Sequence, residues 1–364
     1  MSVIVLGGGL MGSATTFFLA RRGVATTLID TGSIGAGATV ASFGNIRRSG
    51  RYLPQLPLAH RSLALWNRLE SLLDRDVEFR ATGHLRLIFD ETGLALMRRF
   101  AEDAHPLGLD LEELGPSQIQ QRFPGLGPDA IGASFSPQDG SANPRLIAPA
   151  FADAAARAGA VVVDQAQVLS VEPGFTVETS RGTFHADQLV NCAGYNGATL
   201  AAQFGESVPI EVRGPQMAVT EPLPHRILPV VGVWSADHGA YLRQVERGNV
   251  VFGGAVDRVA VGPDGRAHAD PARLPAQVCA VVQLVPALRH VAIIRQWSGA
   301  EGYVRDGLPV MGASRTTPGL FHAFGFCGHG FQLGPGVGDA MAELVATGRC
   351  ETPLQDFSIT RFAA

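Results

Sequence analysis

The sequence contains no lysine; all 29 of its positive residues are arginine. That absence excludes a lysine Schiff base and a lysine general base. Cysteine is scarce as well: Cys192, Cys279, Cys327 and Cys350 are scattered, with no C-x-x-C pair and no zinc spacing. They read as reduced, mostly buried thiols. No uninterrupted apolar run reaches 18 residues, so no spanning helix is expected. A positive excess is missing too. The formal net charge of −4 offers nothing to nucleic acid or to an anionic membrane. No His, Asp or Glu cluster has metal-ligand spacing. What remains is a chain of 364 residues, 46% hydrophobic and 17% charged, long enough for two cores.

The first thirty residues carry the strongest signal. Ser2–Leu6 is a short apolar run fit for a buried strand. It passes directly into Gly7-Gly8-Gly9-Leu10-Met11-Gly12, a G-x-G-x-x-G pattern, and an Ala-rich helical stretch follows to Arg22. Gly23 ends that helix, and Ala25–Ile29 forms a second strand capped by Asp30. Each part has a task. Gly7 permits the tight turn, Gly9 lets backbone approach a pyrophosphate, and Gly12 lets helix and strand close up. The helix start offers unpaired N–H groups and partial positive charge. Asp30 stands where an acid accepts hydrogen bonds from a ribose 2′-OH, which disfavours a 2′-phosphate. The strand begins at residue 2, so no leader peptide is expected.

The rest alternates between helical and extended patterns. A helix is expected over about 58–73, with Ala59, Leu63, Trp66, Leu69 and Leu73 on one face. Another opens at Pro144 and reaches Ala158. Glu211–Thr220 and Val230–Ala255 read as a meander of strands. Within them Tyr241 and Arg243 share one face, which either looks onto a bound ligand or is an exposed face of the sheet. Gln188–Cys192 is a buried strand running into Ala193-Gly194. Near the end, Gly325-Phe326-Cys327-Gly328-His329-Gly330-Phe331-Gln332 again joins an apolar strand to a helix. This second turn suits a flavin, whose ring gains negative charge on reduction. The competing reading is that its glycines serve close packing.

The start, the GNIRRSGRYLPQLPLAHRS segment, the VNCAG strand, the WSGAEGYVRDGLPVMG segment and the GFCGHGFQLGPGVGDAMAEL ending resemble the D-amino-acid oxidase and sarcosine oxidase family of FAD enzymes. The segments near Ser42–Arg51 and the C-terminus are most similar to β subunits of heteromeric opine (octopine or nopaline) oxidases and D-hydroxyproline dehydrogenases. The resemblance implies an α/β fold: a Rossmann-like FAD-binding domain and a discontinuous α+β substrate domain carrying an antiparallel sheet. It assigns 1–80, 140–205 and 298–364 to the former, and 81–139 and 206–297 to the latter. It implies that a hydride leaves a C–H bond beside an amine, giving an imine that hydrolyses. Gly7, Gly9, Leu10, Met11, Gly12 and Asp30 would hold the ADP part, with Val168 at the adenine. Ser42, Asn45, Ala193, Gly194, Gly328, His329, Gly330, Phe331 and Gln332 would border the rest of the cofactor.

Two departures from the family matter. Residues 297–305, where tethering members carry a cysteine, contain none, so non-covalent FAD is expected. The lysine that monomeric sarcosine oxidases use for oxygen has no counterpart, and their carboxylate-binding lysine is replaced by Gln332. Arginine must then grip the carboxylate. Arg47, Arg48 and Arg51 are candidates, with Arg48 favoured. Tyr241, Arg243 and His329 are the other expected catalytic residues; His238 and Glu301 are weaker ones. An arginine-rich pocket would also favour the neutral amine that hydride loss requires.

The expected protein is a cytoplasmic dehydrogenase subunit, peripheral to the inner membrane through its partners. It acts on an amino acid or opine-like secondary amine beside a larger flavoprotein and a small iron–sulfur subunit, with FMN at an interface between subunits. The alternatives are a stand-alone oxidase of sarcosine, glycine or a D-amino acid that makes hydrogen peroxide, and a flavin-bearing subunit that only relays electrons. Replacing Asp30 by Ala removes a charged acceptor whose hydrogen bonds contribute roughly 1.5–3 kcal/mol. The dissociation constant of FAD, titrated into apoprotein by flavin fluorescence, should rise about 10- to 150-fold.

Overall fold

The computed structural model describes residues 1–362, except 225, 227, 228 and 236–238. The expected helix–strand patterning appears as a mixed α/β fold around two large sheets. One has six strands in the order 310–313, 320–324, 188–191, 2–6, 25–29 and 161–163. Its pairs are parallel except for the antiparallel edge strand Val310–Ala313. Ser2–Leu6 lies at its centre because Val3, Ile4, Val5 and Leu6 are all buried. The chain runs outward from that strand on both sides, so the crevice for a ligand opens at the carboxyl ends of the central strands. The Gly7–Gly12 turn occupies that position.

Helix Leu10–Arg21 follows the turn and is closed by Gly23 at φ +75°. Leu10 and Gly12 through Ala20 are all buried, because the C-terminal helix Gly330–Thr347 lies across this helix. A seam of small residues makes this possible. A Cβ on Gly334 would come within 2.4 Å of Leu10, and one on Gly338 within 2.5 Å of Ala14. On the neighbouring face, Gly336 would strike Ser62 at 2.7 Å. The glycines after the second turn therefore serve close packing between helices.

The other large sheet has eight strands in the order 293–298, 216–222, 249–253, 241–244, 230–233, 84–88, 132–136 and 112–114. It is antiparallel except where Val230–Val233 runs parallel to His84–Ile88. Residues 230–253 form the expected meander, but Gln216–Pro222 pairs with Asn249–Gly253 and Ile210–Gly214 lies in a separate small sheet. The helix expected over 58–73 is two helices, Leu56–Trp66 and Leu69–Leu73. Its five named apolar residues are nonetheless all buried. The expected Pro144 start moves to helix Ile147–Arg157. No helix among the described residues is long and apolar enough to cross a membrane.

Candidate active site

At the first turn the three glycines differ. A Cβ on Gly7 would lie 2.3 Å from the Cys192 carbonyl oxygen, and one on Gly12 would lie 1.8 Å from that of Gly7. Both are packing requirements, and the first holds the turn against Ala193-Gly194. A Cβ on Gly9 would meet only Thr39 Oγ1, at 3.4 Å, so Gly9 leaves open space for a phosphate. Thr39 itself accepts a hydrogen bond from the Leu10 N–H at 2.9 Å, a contact the sequence did not reveal. Asp30 accepts from the N–H groups of Gly8 and Gly32. Burial raises its carboxyl above the ordinary range, and these two donors work against that. Val168 packs with Ile4, Leu6 and Ile29 beside it.

The second turn opens onto a cavity lined on its other side by strands of the eight-stranded sheet. Ser42, Asn45, Tyr241, Gly328, His329, Phe331 and Gln332 all line it. Gly330 lies just behind, where a Cβ would press on Met11 at 2.9 Å, and this contact ties the two glycine-rich turns together. Four guanidiniums also line the cavity: Arg47, Arg51, Arg86 and Arg258. Arg86 lies flat on Trp234, 3.7 Å from the ring centroid, and donates to the Val233 carbonyl. Arg51 donates to the carbonyls of Arg47 and His329 and to Gln55 Oε1. Glu301, which accepts from the Tyr303 hydroxyl at 2.7 Å, is the one carboxylate among the described lining residues.

The surroundings tune the titratable groups. Burial, then Arg47 and Arg51, hold the His329 imidazole well below its usual pKa. Burial, Arg47 and Arg86 do the same to His84. Both rings are neutral in the folded protein. Burial, aided by Glu301, pushes the Tyr241 phenol up to about 12. Three buried polar atoms in the cavity wall have no partner: Asn45 Oδ1, His329 Nδ1 and Gln332 Oε1.

Two sequence expectations are corrected. Arg48 does not line the cavity. Its guanidinium and backbone N–H hold the fully buried Asp139, at 3.0 and 2.9 Å, and its remaining donors meet Gln138 and His60. Arg243 does share a strand face with Tyr241, but the Phe43 ring stands between them. Tyr241 therefore borders this cavity, and Arg243 borders a second one with Arg145, Arg247, Arg266 and Arg295. His238 lies outside the described residues. The sequence reading missed Arg86, His84 and Arg258. His84 and Arg86 alternate on one strand face, a pattern that every half-exposed strand shares.

A family model described as FAD dependent oxidoreductase, the DAO family, matches residues 2–344. The chain belongs to this family. Glycine oxidase of Geobacillus kaustophilus is 30% identical over 378 residues, 99% of this chain and 96% of that one. An opine oxidase component of Rhizobium meliloti, named as one subunit of that enzyme, is 26% identical, covering 100% of this chain and 98% of that protein. Among solved structures, the L-proline dehydrogenase of P. horikoshii superposes with a TM-score of 0.93 at 27% identity, covering 99% and 97%. The protein is a FAD-dependent oxidoreductase of the amine- and amino-acid-oxidising kind. The residues present fit that cofactor. Gly9 leaves space for phosphate, and the three partnerless atoms of Asn45, His329 and Gln332 form a polar wall awaiting a ligand.

Replacing Arg48 by Met leaves Asp139 as an uncompensated buried charge. It should lower stability by about 3–5 kcal/mol in denaturant unfolding. The neutral histidines also set a pH dependence. The unfolded chain protonates them near 6.5, whereas the folded protein resists. Their contribution is complete above that pH and is lost as pH falls. Each should remove up to about 1.4 kcal/mol per pH unit. Melting temperatures from pH 7.5 to 5.5 should fall, and less steeply for H84N.

Proposed function

We propose that this chain oxidises the C–N bond of an amino acid or opine-like secondary amine, as the β subunit of a heteromeric dehydrogenase. The observation that carries the reading is the cavity lined by Arg47, Arg51, Arg86 and Arg258 beside the second glycine-rich turn, in a chain that has no lysine. Bound FAD would accept a hydride and its electron pair. The Gly7–Gly12 turn and Asp30 would hold its ADP part, and Asn45, His329 and Gln332 would meet the ring. Arg47 and its neighbours grip the substrate carboxylate, and Tyr241 closes one side of the cavity. The cationic lining disfavours an ammonium ion, so the substrate binds with its nitrogen lone pair free. The carbon beside nitrogen then loses hydride, and the imine is hydrolysed by water.

Non-covalent attachment belongs to the same reading. Cys327 borders the cavity, but its sulfur faces the Val304 N–H and the Gly325 carbonyl, and burial raises its thiol pKa. A thiol so placed is a poor nucleophile. FMN at an interface between subunits would suit the second cavity, whose five arginines offer a phosphate site. Partner chains are supported by the opine oxidase relative, whose name makes it one subunit of a larger enzyme.

The test is to reduce the flavin anaerobically with substrate and then mix it with air-saturated buffer. The expected outcome is slow reoxidation by air and fast reoxidation by a dye or a co-purifying partner chain. Reoxidation in milliseconds with stoichiometric peroxide would make the chain an oxidase, with arginine in place of the missing lysine.

A further inference from the structure

Oxidation of an amine at carbon needs the nitrogen lone pair, yet an amino acid or secondary amine reaches a protein near neutral pH as its ammonium ion. One proton must be removed before hydride can leave. The titratable groups of the main cavity narrow where it goes. Guanidinium does not act as a base in a protein. Burial and the arginines turn His84 and His329 away from the protonated form. Burial, and then Glu301, keep the phenols of Tyr241 and Tyr303 neutral, and burial does the same for the Cys327 thiol. Glu301 remains, the one carboxylate among the described lining residues.

The fold holds this carboxylate in place. Strand Glu301–Val304 alternates: Gly302 and Val304 are buried, and Glu301 and Tyr303 turn to the cavity. Two hydrogen bonds tie the strand to the second turn. The Cys327 N–H donates to the Gly302 carbonyl at 3.2 Å, and the Val304 N–H donates to Cys327 Sγ at 3.1 Å. Glu301 Oε2 and the Tyr303 hydroxyl each lie 3.5 Å from where a Cβ on Gly328 would stand, so the pair sits directly against that turn. Tyr303 donates to Oε2 at 2.7 Å, the one hydrogen bond that the carboxylate receives from the described residues, which leaves Oε1 free.

Few charges face it. Tyr303 does so from its own strand, Tyr241 from strand Tyr241–Gln244, Cys327 from the second turn and Arg258 from the loop after strand Asn249–Gly253. Arg213, its partner in register on strand Ile210–Gly214, is bound to Glu211 instead. Arg258 is exposed, lies on the Tyr303 ring at 4.2 Å and favours the ionised form of Glu301. Burial outweighs that effect, so this carboxyl holds a proton more readily than an ordinary one.

We propose that Glu301 is the proton acceptor of the reaction, taking the ammonium proton of the bound substrate. The N–H bond breaks, an O–H bond forms at the Glu301 carboxylate, and the electron pair stays on nitrogen. The carbon beside nitrogen then gives up hydride, with its electron pair, to the flavin, which leaves the C–N double bond that water hydrolyses. The Glu301 proton returns to solvent as product leaves. This deepens the amine-oxidising reading and rests on it.

Binding of 2-aminoisobutyrate to the FAD-loaded enzyme separates proton from hydride, because its α-carbon carries no hydrogen. The flavin absorption band reports binding, and an indicator dye reports protons released. At pH 8 the unaltered enzyme should release close to none, since the proton stays on Glu301, whereas E301Q should release about one per site. With glycine, sarcosine and iminodiacetate as reducing probes, the second-order rate constant for flavin reduction at pH 7.5 should fall about 10²-fold in E301Q. In that variant it should climb about tenfold per pH unit up to the pKa of the probe's own ammonium, where the unaltered enzyme is flat. Y303F keeps the carboxylate but removes its donor, and should move the acid limb of the unaltered profile to higher pH. Equal proton release with and without Glu301, a pH profile that E301Q leaves unchanged, or an acid limb that Y303F does not move would each overturn the proposal while leaving the amine reading intact. If no amino acid or secondary amine reduces the flavin, the amine reading falls and this proposal with it.

Discussion

The contact between helix Leu10–Arg21 and helix Gly330–Thr347 carries the rest of the structure. Each helix starts from a glycine-rich turn, and the two turns come from opposite ends of the chain. Gly334 against Leu10 and Gly338 against Ala14 allow backbone-close crossing. Met11 against Gly330 then fixes the first turn beside the second. Without those missing Cβ atoms the helices would stand further apart, and overpacking at such a seam typically costs about 1–3 kcal/mol or more. The two glycine-rich turns would then lose their spacing. The same glycines that fill no space bring the two turns into register.

A second constraint is electrostatic. The cavity concentrates guanidinium groups along one wall, and burial, reinforced by those charges, disfavours the protonated form of its two histidines. Stability is given up locally, in unpaired cations and in partnerless polar atoms at Asn45, His329 and Gln332. The surrounding fold compensates through large apolar clusters on both sides of the cavity. Such local cost suits a site whose ligands complete its hydrogen bonds and its charge balance.

Much of this was legible in one dimension. The Gly7–Gly12 turn, Asp30 and the strand–helix–strand around them are local, because each task is done by residues near in sequence. The second turn was legible for the same reason. The arginines were not. Arg47, Arg48 and Arg51 are neighbours in sequence, and nothing in their spacing separates them. The buried Asp139, nearly a hundred residues on, claims Arg48 and leaves Arg47 to the cavity. Likewise the strand alternation that put Tyr241 and Arg243 on one face was correct, yet the ring of Phe43 sends them to different cavities.

By itself, then, the sequence determined the fold class, the family and the cofactor, because these rest on short motifs whose backbone geometry demands glycine or an acid at set positions. Only the tertiary structure decided which cations face the ligand. Charge is shared out among whatever acids and carbonyls the folded chain brings near. Arg86 reaches the cavity because its strand pairs with Val230–Val233, beside Trp234, and that pairing between residues far apart in the chain leaves no trace in local sequence.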